Sequence, residues 1–207
     1  MKKLLQYVFL SLFTLLLAAL IGGSTLFYQI KKGWLNNDFT IQNGCWRVNP
    51  KMDLENNHFQ RAIIAVGGLF ALRESEVLYF VANKDDQGRP LHSDYQYELI
   101  GAAPNARYWS FTMYASDHYL VPNKAKQFGY NLETVNYDFA PLDKSSHQIK
   151  IKNSHFRIVI DKKEQVENWL PAPQDDNFVI NLRLYNPAPE IYENLGTCTL
   201  PIIRRVE

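Results

Sequence analysis

A chain of 207 residues with a formal net charge of +1 and 21% charged residues carries no strong field. That balance excludes the dense basic surface of a nucleic-acid binder. Aromatic content is 14%, and aromatic side chains both favour pleated surfaces and line sites for flat or sugar-like ligands.

Residues 4–30 contain no charged side chain and include the run LFTLLLAALIGG. As a helix rising about 1.5 Å per residue the stretch reaches about 40 Å, more than the roughly 30 Å hydrocarbon core of a bilayer. Residues 1–30 are therefore predicted to be a single-pass transmembrane anchor that meets the lipid bilayer through residues 4–30. A signal sequence is the competing reading, since Met1, Lys2 and Lys3 make a short basic start and Gly22, Gly23 and Ser24 are small. The apolar run is longer than the roughly 7–15 residues of a signal core, and no A-x-A site comes after it. Lys2 and Lys3 oppose Lys31 and Lys32 across the span, so charge counting leaves orientation open.

Residues 31–207 suffice for one domain with a real core and leave little room for two. Residues 31–56, punctuated by Asn36, Asn37, Asp38, Asn43, Gly44, Asn49 and Pro50, are expected to form an irregular linker that Ile41 and Trp46 pin to the domain. In residues 57–72, Phe59, Ile63, Val66 and Phe70 recur at helical spacing after a possible Asn cap, which predicts one short amphipathic helix. The rest, within a domain spanning 57–207, reads as β. Residues 76–82 are apolar on both alternating faces, KDDQGRP (84–90) is a turn, and 94–100 and 107–114 alternate. A tight turn at 115–117 is expected to return through 118–121, giving a hairpin. Residues 148–152 and 156–160 suggest a second hairpin. NWLPAP (168–173) is expected to be stiff and outside any interior strand, because its prolines remove donors. Residues 178–185 form the cleanest alternation, and 200–206 add a last extended stretch. Many short strands with one helix predict a mainly β, jelly-roll-like antiparallel β-sandwich behind the anchor.

Only Cys45 and Cys198 are present. Were the ends of the domain to meet, they could join in a disulfide that needs an oxidising compartment; two buried free thiols are the alternative.

The segments NGCWRVNPKM (43–52), GRPL (88–91), ARYWSFTMYASDHYLVPN (106–123), NWLPAP (168–173), FVINLRLYNPAPE (178–190) and LPIIRRV (200–206) resemble domain of unknown function family 1214, in the family's order and over nearly all of residues 40–206. The resemblance implies a jelly-roll sandwich in a bacterial, often envelope-associated protein. Together with the apolar segment at residues 4–30, this leads to the expectation of a bacterial inner-membrane, single-pass chain with a periplasmic domain and an envelope protein as a partner. The family usually has proline at the position of Cys45, so a thiol there strengthens the pairing with Cys198.

No catalytic motif stands out. There is no G-x-S-x-G, and His58, His92, His118, His147 and His155 lack the spacing of a cupin metal set. No cofactor and no metal are expected. The acid pairs Asp85 with Asp86 and Asp175 with Asp176, and the neighbours Asp117 and His118, are accounted for by turns. Ligand-binding candidates are Asn181, Arg183 and Tyr185 on the polar side of residues 178–185, with Asn168, Trp169 and Arg107. Arg183 is costly if buried alone and needs a carboxylate, carbonyl, water or ligand. The expected function is a non-catalytic binding or structural module. The alternative is part of a hydrolase or lyase whose active site a partner chain completes. Convergence of Arg183, Tyr185, Trp169 and an acid or histidine on one closed pocket would favour the enzyme; a flat polar face would favour binding.

Overall fold

A computed structural model describes residues 2–35, 40–50, 72–73, 75–138, 155–166 and 168–206. They fall into two units. The first contains helix α1 (Lys2–Leu35), of which Lys2–Tyr28 has a mean hydropathy of 2.3 and is long and apolar enough to cross a membrane. The helix is apolar around its whole circumference, and Leu5, Phe9 and Leu16 are among its exposed side chains. A surface helix of a soluble domain would bury one stripe instead.

The second unit takes in residues 39–50 and 74–207 and is a β-sandwich. Its described strands are β1 (Ile41–Asn43), β2 (Trp46–Val48), β3 (Val77–Ala82), β4 (Tyr97–Ala102), β5 (Ala106–Ala115), β6 (Gly129–Asn131), β7 (Tyr137–Asp138), β8 (His155–Asp161), β9 (Trp169–Pro171), β10 (Phe178–Pro187) and β11 (Ile202–Arg205), with a one-turn helix α2 (Pro189–Glu193). A six-stranded sheet runs β1-β2-β3-β10-β5-β6, and the second runs β11-β4-β8-β7 with β9 also paired to β8. The chain thus moves from β3 to β4 and back to β5 across the two sheets, and its late strand β10 returns between β3 and β5. That alternation places jelly-roll order at the centre of both sheets.

Period-two patterning explains the core. On β5 the inward residues Trp109, Phe111 and Met113, and on β10 Phe178, Ile180, Leu182 and Leu184, are all at most 1% exposed. Opposite them the second sheet buries Tyr97, Leu99, Phe156, Ile158, Ile160 and Ile203. Each such side chain contributes about 1.5–3 kcal/mol relative to exposure. Trp109 stacks on Phe156 across the sheets at 5.3 Å between ring centroids.

Two local expectations change. Residues 41–48 build the β1–β2 hairpin rather than a loop, turning at Gly44 with φ of 57°. Trp46 is decisive there: it is 1% exposed, and its indole N–H donates to the Pro201 carbonyl at 2.5 Å. The return from the 115–117 turn is a single bridge, Tyr114 to Leu120, and the strand that pairs with β5 on the edge away from β10 is β6. NWLPAP contributes β9, a short strand parallel to β8, with Pro171 at its end, where a missing donor is tolerated. For the second expected hairpin, residues 148–152 lie outside the described residues. The amphipathic helix expected over 57–72 also lies outside the described residues apart from Leu72.

At Gly129 the β5–β6 contact leaves no room for a side chain. A Cβ there would sit 2.0 Å from the Phe111 carbonyl oxygen, a backbone atom that cannot swing away. Gly129→Ala is expected to lower stability by about 2–3 kcal/mol, read as a fall in the urea midpoint at an unchanged m-value.

Candidate functional site

The sheet register assembles one polar surface from residues far apart in sequence. On β10, the side chains that alternate with the core residues are Val179, Asn181, Arg183 and Tyr185, all half-buried. Antiparallel partners share a face, so Arg183 stands between Tyr79 of β3 and Ser110 of β5. Asn181 stands between Val81 and Thr112, and Tyr185 lies beside Tyr108. Asn131 of β6 extends the row through Ser110. The outward positions of β3, β10 and β5 therefore carry tyrosines, hydroxyls, an amide and one arginine together with Val77, Val81 and Val179, with no carboxylate or imidazole among them.

Arg183 is held in a fixed pose. Its Nη1 donates to Thr112 Oγ1 at 2.9 Å and its Nη2 to Tyr114 OH at 2.7 Å, while Cζ lies 5.8 Å from the Tyr114 ring centroid. Both hydrogen-bond partners are neutral hydroxyls, and among the described residues no acid pairs with it. The described residues thus leave the positive charge uncompensated, and further N–H donors of the planar fork remain available. Tyr108 and Tyr185 meet edge to face at 5.6 Å. Burial, then Glu133 and Tyr185 nearby, push the Tyr108 phenol up, so it stays protonated near neutrality.

Of the six candidates, Asn181, Arg183 and Tyr185 share this face. Asn168 and Trp169 do not: they lie in the second sheet and are engaged internally. Asn168 is 3% exposed; its Oδ1 accepts from the Asn136 N–H at 2.7 Å, and its Nδ2 donates to the carbonyls of Asn136 at 2.7 Å and Arg157 at 2.9 Å. The Trp169 indole N–H donates to the Asp161 carbonyl at 2.9 Å, and its backbone N–H donates to Tyr130 OH at 2.8 Å. Tyr130 belongs to β6 of the other sheet, so its hydroxyl latches the two sheets together. Arg107 opens β5 on the side opposite Tyr108 and is exposed. Thr112, Tyr114, Tyr79 and Tyr108 were not among the candidates; the alternation in residues 107–114 put the β5 three on one side of a strand, but only the register shows that this side is Arg183's.

The remaining chemistry-bearing groups are structural or solvated. In this structure Cys45, buried, and Cys198, half-buried, are free thiols. Cys45 sits in the core, whereas Cys198 accepts a contact from Asn43 Nδ2 at 3.4 Å. Burial pushes both thiols up, which keeps them protonated and weakly nucleophilic. Asp85 is 1% exposed and knots its own turn through the N–H groups of Gln87 and Arg89 and the Arg89 guanidinium. Asp176 accepts from Ser116 Oγ at 2.6 Å, and that bond above all lowers its carboxyl. The fold also brings one ligand atom each of His92, Asp94 and Asp175 within 4.8 Å of one another, a set that sequence spacing did not reveal. Two of the three are exposed, and Lys162 Nζ already lies 3.3 Å from Asp94.

The VPA0106 protein from Vibrio parahaemolyticus has a similar fold, with a TM-score of 0.55 at 22% identity over 74% of this chain. The match covers 36% of the Vibrio chain, so this protein spans about a third of that one's length. An uncharacterised protein from Burkholderia cenocepacia is similar over 92% of this chain and 42% of its own, at 15% identity and a TM-score of 0.43. No curated protein matches. The model of the family described as protein of unknown function (DUF1214) matches residues 76–189, a span that runs from β3 through β10 and includes the whole Arg183 face; this chain belongs to the DUF1214 family.

Proposed function

We propose that this protein is a membrane-tethered, envelope-facing binding module of a bacterial cell. Helix α1 serves as an uncleaved inner-membrane anchor, and the sandwich works in the periplasm without a catalytic centre. It engages an envelope partner or small ligand through the outer face of the six-stranded sheet. The observation that supports this reading is the separation of the candidates. Arg183 and Tyr185 lie on a polar sheet face whose outward rows lack an acid or imidazole, while Asn168 and Trp169 are tied up as internal clasps in the other sheet. An active site completed by a partner chain would have to draw its acid or base from that partner or from Glu133, which lies near Tyr108 but off the outward rows, and this makes the enzyme reading the weaker one.

The tether and compartment are tested in bacterial cells producing the full chain. It is expected to remain in the membrane pellet after an alkaline carbonate wash, and protease added to spheroplasts is expected to digest the sandwich. Release of the chain by carbonate, or protection of the sandwich until the inner membrane is lysed, would contradict the assignment.

A further inference from the structure

We infer that the Arg183 face binds a carboxylate-bearing sugar, with the carboxylate on the guanidinium and the ring against the neighbouring tyrosines. The inference rests on the reading of this face as a binding surface and adds the chemical class of its ligand.

Charge comes first. A half-buried arginine in a folded protein is ordinarily matched by an acid or by carbonyl oxygens. Arg183 has neither among its hydrogen-bond partners in the described residues; Thr112 Oγ1 and Tyr114 OH fix its position without neutralising it. A guanidinium so immobilised has already lost its rotamer freedom, and its remaining N–H groups form a planar fork that matches a carboxylate in bidentate fashion.

The surroundings select what the carboxylate is attached to. Within the same rows stand the rings of Tyr108 and Tyr185 and the polar groups of Ser110 and Asn181, with Val81 and Val179 beside them. Tyrosine rings offer flat apolar area with a hydrogen-bonding tip, and hydroxyls and amides pair with ring hydroxyls. A bare phosphate would use the arginine and leave the rest of the face idle. A purely aromatic acid would leave the amide and hydroxyls unpaired. An acidic sugar uses both parts.

The test is saturation-transfer difference NMR on the full chain in lipid nanodiscs, with glucuronate, the neutral methyl glucoside and inorganic phosphate as probes. Glucuronate is expected to bind at least about tenfold more tightly than methyl glucoside and to lose at least about tenfold in Arg183→Gln. Arg183→Lys, which keeps the charge but not the fork, is expected to fall between, and Arg107→Gln to leave binding unchanged. Circular dichroism and the urea midpoint establish that each variant folds, and Thr112→Val supplies a second, gentler perturbation of the Arg183 pose. Equal binding of both sugars, weakened by Tyr185→Ser but not by Arg183→Gln, would overturn the acidic-sugar inference while leaving the binding face standing. Competition by phosphate at equal affinity, or no saturation transfer to either sugar, would overturn it as well.

Discussion

Asn168→Ala is expected to cost about 3–4 kcal/mol. The side chain is buried and makes three hydrogen bonds to backbone groups of Asn136 and Arg157. Each contributes about 1 kcal/mol net, and truncation also strands a buried N–H and two carbonyls whose desolvation is no longer offset. Asn168→Asp separates geometry from chemistry. It keeps an acceptor for the Asn136 N–H but turns an oxygen toward the two carbonyls, so it should rescue little at neutral pH. Urea unfolding of the full chain in nanodiscs, tracked by tryptophan fluorescence, reads both variants; an Asn168→Ala midpoint equal to that of the wild type would remove the residue's role as the clasp between residue 136 and β8.

Asp85→Ala is expected to cost about 3 kcal/mol at neutral pH, with a distinct pH signature. Burial alone would raise the Asp85 carboxyl, but the Arg89 N–H, the Arg89 guanidinium and the Gln87 N–H outweigh it and leave the carboxyl below its ordinary range. The unfolded chain therefore binds this proton more readily than the folded one. Its contribution is complete above the unfolded carboxylate range, roughly 3.9, and is lost as pH falls through the lower folded value. Wild-type stability should thus fall toward acid more steeply than that of Asp85→Asn, the two curves converging at low pH. Parallel curves would show that Asp85 does not titrate differently in the two states. The knot matters to the fold because the neighbouring Asp86 N–H donates to the Ile203 carbonyl at 2.8 Å, which ties the turn to β11.

Much of the fold was legible in the sequence because it depends on alternation within one segment. Residues 107–114 and 178–185 show period two without interruption, and both are strands whose apolar sides are at most 1% exposed. The 84–90 turn was equally plain from its residue chemistry. The β1–β2 hairpin was hidden because its strands are three residues each and full of turn formers; what makes them strands is Trp46 reaching Pro201, 155 positions away. β9 was hidden because prolines argue against strands, and only its position beside β8 makes them tolerable.

The candidate site was half legible for the same reason. Arg183 attracted notice as a charge on a strand, and its need for a partner came from electrostatics alone. Its partners could not be named, since Thr112 and Tyr114 lie 71 and 69 residues away and come to it only through the β5–β10 register. Asn168 and Trp169 drew attention as polar and aromatic residues in a stiff segment. Burial, which composition does not report, turns them into internal clasps.

Phenylglyoxal modification of the full chain in nanodiscs, mapped by peptide mass spectrometry, tests the outward, uncompensated placement of Arg183 most directly. The account predicts that Arg183 reacts in the folded protein, more slowly than exposed Arg107 but to completion, and that glucuronate protects it while methyl glucoside does not. An Arg183 that stays unmodified while Arg107 reacts fully would contradict it.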